Sequence, residues 1–183
     1  MSILFINACV RKNSRTLVLA KSVIQDMNGE VEELDLNLEK IEPLDRELLE
    51  RREVLIKDGE LDDPMFRYAK QFSMADEIVI AAPFWDLSFP AKLKLYFEQI
   101  TVSGITFKYT NGKPSGLCRA KSLTYVTTSG GPIFEDFGYT YVKALAKSFY
   151  GIEKTKTVRI TNLDVDMIFA DDLLQKATVS VVE

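Results

Sequence analysis

Ile78-Val79-Ile80-Ala81-Ala82-Pro83-Phe84-Trp85-Asp86-Leu87-Ser88-Phe89-Pro90 reads IVIAAPFWDLSFP and changes character at Pro83. Up to that residue the run is continuously apolar and β-branched, as in a strand covered on both faces. Proline cannot continue such a strand. The chain then passes through Phe84, Trp85, Asp86 and Leu87, with the chain's one tryptophan among them, before Pro90 opens a helical pattern. A doubly covered strand, an aromatic loop and a helix in succession are the elements of an α/β fold.

Four further runs of strand character flank it: Ile3 to Asn7, Val31 to Leu36, Ser122 to Thr127 and Thr157 to Thr161. Helical patterns lie between them. Ser14 to Met27 starts on a capping residue and gathers Leu17, Leu19, Ala20, Val23, Ile24 and Met27 on one face before Asn28-Gly29. Pro90 to Thr101 spaces Leu93, Phe97 and Ile100 helically, and Glu135 to Tyr150 and Asp166 to Ala177 read likewise. Alternation of this kind predicts a five-stranded parallel sheet with helices on both faces and right-handed crossovers. Two regions interrupt it. Residues 43–75 predict two capped helices joined near Lys57-Asp58-Gly59, and residues 103–118 predict a hairpin or flap turning at Asn111-Gly112.

Composition narrows the function classes. A chain of 183 residues with 46% hydrophobic and 27% charged residues is an ordinary globular protein with enough length for a real core. A net charge of -4 without a basic block argues against nucleic acid as a partner. No apolar stretch approaches a membrane span and the first residues lack a basic leader, so the chain reads as neither anchored nor exported. Cys9 and Cys118 match no metal or redox spacing; two free thiols fit a reducing cytoplasm. With no histidine anywhere, hydrolase triads of the usual kind and the commonest metal ligand are excluded, and no metal site is expected.

In an open parallel sheet, ligands bind beyond the carboxyl ends of the strands, where strand order reverses. Three such ends carry unusual chemistry. Asn7 to Thr16 is dense in hydroxyl, amide and cationic groups and runs into a helix start, where free N–H groups and the helix dipole attract an anion. Its lack of glycine excludes the dinucleotide fingerprint and the P-loop, and Asn13 or Ser14 also serves as a plain helix cap. Pro83 to Leu87 supplies an aromatic rim, and Thr128-Ser129-Gly130-Gly131 lets the backbone approach a ligand closely. An anion cradle, an aromatic wall and close N–H donors together describe a phosphorylated planar cofactor, and FMN fits better than a free nucleotide.

The residues also resemble a known family, the FMN-dependent NADH:quinone oxidoreductases that include bacterial azoreductases. The likeness rests on IVIAAPFWDLSFPAKLKLYFEQI from Ile78, GITFKYTNGKPSGL from Gly104 and TTSGG from Thr127, and extends more weakly through Ser14-Arg15-Thr16 and Pro43-Leu44-Asp45. It implies one flavodoxin-like domain over 1–183, with strand order 2-1-3-4-5, a helical insertion at about 43–75 and a flap at about 103–118. By the same resemblance, Ser14, Arg15 and Thr16 hold the phosphate of tightly bound FMN. Pro83, Phe84, Trp85, Asp86 and Leu87 line its ring with a backbone N–H near N5, and Thr128, Ser129, Gly130 and Gly131 meet its pyrimidine edge. Trp85 and Tyr109 would shape the substrate pocket of a homodimer with the site at its interface. NADH or NADPH would reduce FMN, and a quinone, azo compound or nitroaromatic would reoxidise it by a ping-pong mechanism. Three residues depart from the family pattern: Ala8 where serine is frequent, Asp86 where asparagine is frequent, and Ser129 where some relatives carry arginine. A non-enzymatic flavodoxin-type electron carrier is the alternative, disfavoured by the modest charge and by the flap.

Overall fold

The computed structural model describes residues 1–165. A five-stranded parallel sheet has the order β2-β1-β3-β6-β7, from β1 (Ser2–Asn7), β2 (Glu30–Asp35), β3 (Glu77–Ala81), β6 (Ser122–Thr128) and β7 (Lys154–Ile160). Counting only its own strands, this is the expected 2-1-3-4-5. β4 (Phe107–Thr110) and β5 (Lys113–Gly116) form a separate antiparallel hairpin. The helices are α1 (Arg15–Gln25), α2 (Arg46–Asp58), α3 (Arg67–Met74), α4 (Ala91–Ile100) and α5 (Phe137–Leu145). The helix expected at Asp166 to Ala177 lies outside the described residues.

Strand periodicity divides the core in two. In β1, Leu4 and Ile6 enter one apolar cluster while Ile3 and Phe5 enter the other, and β3 divides Ile78 and Ile80 from Val79 and Ala81 in the same way. The larger cluster includes residues of α3, α4 and α5; the smaller one includes Leu19, Ala20 and Val23 of α1. Burial on both faces is why these strands are continuously apolar. β2, at the sheet edge, is mostly exposed and carries glutamates.

Several boundaries differ from the expectation for local reasons. Pro90 is the N-cap of α4 and not its first turn. β7 begins three residues earlier than its apolar core, because the parallel ladder pairs Ser122 with Lys154. The long pattern ending at Tyr150 becomes α5 followed by a π-helical turn over Ala146–Tyr150, closed by Gly151 at φ 75°. That wider turn sets Phe149 edge-on to Phe107 of the hairpin at 5.1 Å and Tyr150 against Phe72 at 4.9 Å. Asn111 and Gly112, at φ 54° and 75°, turn the hairpin as the Asn-Gly pair predicts. In the 43–75 segment, Asp45 caps α2, Gly59 ends it in the left-handed region, and a 3₁₀ turn at Pro64–Phe66 leads into α3.

Candidate functional site

A cleft of about 220 Å³ opens beyond the carboxyl ends of β1, β3 and β6, at the point where β2 and β3 lie on opposite sides of β1. The loop after β1 contributes Arg11, Asn13, Ser14, Arg15 and Thr16. The loop after β3 contributes Pro83, Phe84 and Trp85, and the loop after β6 contributes Thr128, Ser129 and Gly130. Asp164, just beyond β7, closes one side. A hollow of about 530 Å³ with Lys143, Lys147, Lys154 and Lys156 on its walls lies at the other end of the sheet, where β3, β6 and β7 begin.

Asn7 ends β1 and folds the next loop. Its Oδ1 accepts from the Cys9 N–H at 3.0 Å, and Asn37 Nδ2 donates to Cys9 O at 2.8 Å. Ser14 then caps α1: its Oγ accepts from the Leu17 N–H at 3.3 Å, and its hydroxyl also lies beside the Cys9 thiol. The N–H groups of Arg15 and Thr16, in the first turn, have no intrahelical acceptor. Thr16 itself is 1% exposed, and its hydroxyl meets that of Thr128 at 2.7 Å, tying α1 to the end of β6. The hydroxyl of Thr16 therefore faces the sheet, and its N–H is the group open to an anion.

Arg15 is engaged within the protein. Its Nη1 donates to Leu163 O at 2.8 Å and its Nη2 pairs with the Asp164 carboxylate. Residues 162–164 in turn lace onto the glycine loop, with N–H groups of Asn162, Leu163 and Asp164 donating to the carbonyls of Gly131, Ser129 and Gly130. A Cβ at Gly130 would fall on the Asp164 carboxylate, which would then have to move aside, so the glycine lets the carboxylate lie against the loop. Neither Arg11 nor Asp164 belongs to the residues that the sequence singles out. Arg11 sits in the Asn7 to Thr16 loop, where its charge is the available signal; Asp164 is far from every motif.

The aromatic loop turns more tightly than expected. Trp85 and Ser88 exchange N–H···O bonds of 3.1 and 2.7 Å, and between them Asp86 and Leu87 both adopt positive φ, 49° and 64°. A side chain in this region costs about 1 kcal/mol, so two in succession mark a built turn. Phe84 N–H is taken by Thr128 O at 3.1 Å. Among the described residues, those of Asp86 and Leu87 donate to no protein acceptor. Asp86, Leu87 and Gly131 stand outside the cleft lining, as does Tyr109, which lies on the hairpin and is 64% exposed. Trp85 is 37% exposed at the rim.

Beneath the loop, burial pushes the Cys9 thiol up to about 11, opposed by a hydrogen bond with Ser14, and the carboxylates of Asp35 and Glu33 push in the same upward direction as burial. Cys9 is thus a neutral thiol near pH 7 and no nucleophile. Among the described residues no group of three His, Cys, Asp or Glu side chains is placed to hold a metal, and no helix is long and apolar enough to cross a membrane.

The model of the flavodoxin-like fold family matches residues 1–182. An FMN-dependent NADH:quinone oxidoreductase of Coprothermobacter proteolyticus is 36% identical, the match covering 89% of this chain and 87% of that one. An FMN-dependent NADH:quinone oxidoreductase 2 of Clostridium acetobutylicum is 39% identical over 83% of this chain and 80% of its own. A crystal structure of an azoreductase from Bacillus anthracis superposes with a TM-score of 0.83 at 24% identity, covering 97% of this chain and 94% of that one, which supports the fold. The chain belongs to the FMN-dependent NADH:quinone oxidoreductase family of flavodoxin-like proteins.

Proposed function

We propose that the protein binds FMN tightly in this cleft and transfers electrons from NADH to quinones, with azo compounds and nitroaromatics as further acceptors. The observation that carries the reading is the convergence, in one cleft, of a helix N-terminus with unpaired N–H groups, an aromatic rim and a glycine loop. These donors fit the cofactor chemically: the phosphate is a dianion and the pyrimidine edge is an acceptor. Ser14 and the first-turn N–H groups of Arg15 and Thr16, with Arg11 and one edge of the Arg15 guanidinium, would take the phosphate. Phe84 and Trp85 would wall the ring, the N–H of Asp86 or Leu87 would meet N5, and Ser129 to Gly131 would meet the pyrimidine edge. Bound there, FMN supplies a carrier that accepts hydride from NADH and passes it to the acceptor.

The protein's own part is placement and charge. NADH and the acceptor would use the same open face in turn, a ping-pong order, with Trp85 narrowing the access of water. The cleft holds no histidine, and the proton that completes a hydroquinone would come from solvent. The exposed apolar residues Leu87, Phe134 and Phe137, at 48%, 88% and 56%, and Tyr109 on the hairpin support a homodimer in which a partner covers the site. NADPH is a second donor to be compared with NADH in the same assay.

Purified protein mixed with FMN should become yellow and lose Trp85 fluorescence, a clean signal because Trp85 is the one tryptophan. NADH should then bleach the flavin absorption, and a quinone should restore it over many turnovers. A colourless protein that leaves FMN free would end the reading; bleaching without sustained NADH consumption would instead point to an electron carrier. Asp86 adds a charge test. Its carboxylate opposes the negative charge that FMN gains on reduction, so Asp86→Asn should raise the potential, by an amount limited because water screens this exposed turn. An unchanged or lower potential, measured by equilibrium dye reduction, would refute that role.

A further inference from the structure

The contact between Arg15 and Asp164 joins two elements of the cleft lining. Arg15 is the first residue of α1, at the cradle, and Asp164 lies beyond β7. Arg15 divides its guanidinium between a backbone carbonyl, Leu163 O, and the Asp164 carboxylate. The carbonyl bond is neutral on the acceptor side and can persist while another anion binds. The carboxylate is different, because it occupies one guanidinium edge with a negative charge at the place where a phosphate would come.

The structure assigns Asp164 as an internal competitor for the phosphate subsite, an inference that rests on the FMN reading above. Its Oδ1 takes the Nη2 edge of the Arg15 guanidinium, a donor edge that a phosphate oxygen fits equally well. Asp164 is held in reach by its own N–H, which donates to Gly130 O at 2.9 Å, and by the absence of a Cβ at Gly130. Its side chain is 62% exposed and that of Arg15 33%, so the pair is open to exchange with an incoming anion. Arriving phosphate would take the Nη2 edge and release Asp164 to water, while Arg15 stays anchored on Leu163 O. The consequence is selectivity: Asp164 weakens a phosphorylated ligand and leaves a neutral one, such as riboflavin, unaffected.

Replacing Asp164 with Asn keeps the shape and removes the charge. At low ionic strength, Asp164→Asn should tighten FMN about two- to fivefold relative to riboflavin, the scale of a partly exposed ion pair, with the gain shrinking as salt is added. Asp164→Glu, which restores the charge, should return the FMN-to-riboflavin affinity ratio toward that of the unmodified protein. Both affinities are read from flavin and Trp85 fluorescence, with no turnover involved. A ratio unchanged or lowered in Asp164→Asn overturns the assignment, since a merely structural aspartate would move both ligands alike. Inorganic phosphate, titrated against thermal stability at constant ionic strength, separates the two ideas. If no flavin binds to either protein the FMN reading falls, and the assignment then stands or falls on whether Asp164→Asn takes up phosphate more tightly.

Discussion

Gly116→Ala should cost the protein about 3 kcal/mol, the upper end for overpacking, because the obstacle is backbone and not a movable side chain. A Cβ at Gly116 would fall within the atoms of Tyr150 C, Tyr150 O and Gly151 N. Gly116 ends β5, and the π turn brings Tyr150 and Gly151 against it, so the flap is seated on the end of α5 by two glycines in contact. For a chain of this length the loss corresponds to about 6–12 °C in Tm. Gly112→Ala is the internal comparison: a Cβ there meets nothing within 4 Å, and only its φ of 75° is strained, so the cost should stay near 1 kcal/mol. Urea unfolding of both variants decides the matter, and equal losses would show that the Gly116 contact is not a rigid seat.

Ser14→Ala should lower FMN affinity about ten- to hundredfold, the worth of one hydrogen bond to a charged acceptor. Both ends of one hydroxyl are at work. Its oxygen accepts from the Leu17 N–H and caps α1, so truncation also costs about 1 kcal/mol of stability. Its proton would turn from the Cys9 thiol to a phosphate, and with Ala8 in the same loop no serine hydroxyl at that position can substitute. Ser14→Thr keeps cap and donor and should retain most of the affinity. Riboflavin, which has no phosphate, should bind Ser14→Ala nearly as well as the unmodified protein. Fluorescence titration with both flavins is the measurement, and an unaltered FMN affinity would remove Ser14 from the phosphate cradle.

Ile78 to Ala82, Asn111-Gly112 and Ser14 were legible in the sequence because each follows from local chemistry: double-sided burial, left-handed turn residues and a capping hydroxyl. The three strand-end loops could be read as one cleft because parallel topology brings strand ends together. Arg15 shows the limit. Its residue type and position were plain, but its pairing with Asp164, 149 residues away, leaves no trace in periodicity or spacing. The same holds for Thr16, whose hydroxyl pairs with that of Thr128. Asp86 and Leu87 illustrate a third case. Neither is a residue that favours positive φ as glycine does, and the turn is imposed by the Trp85 and Ser88 bonds and by Phe137 N–H donating to Leu87 O at 3.0 Å.

The hydroxyl contact between Thr16 and Thr128 bears on how the cleft is loaded. It is a bond between two parts of the protein, 112 residues apart, and it fixes the distance between the helix start and the glycine loop without help from any third group. Rigidity of that kind lowers the entropic cost of binding, because the two elements it ties are already in place when a ligand arrives. The exposed groups of the cleft are at its rim, Trp85 and the Arg15 to Asp164 pair. A ligand entering this cleft would therefore meet a tied floor and exchange partners only at the edge.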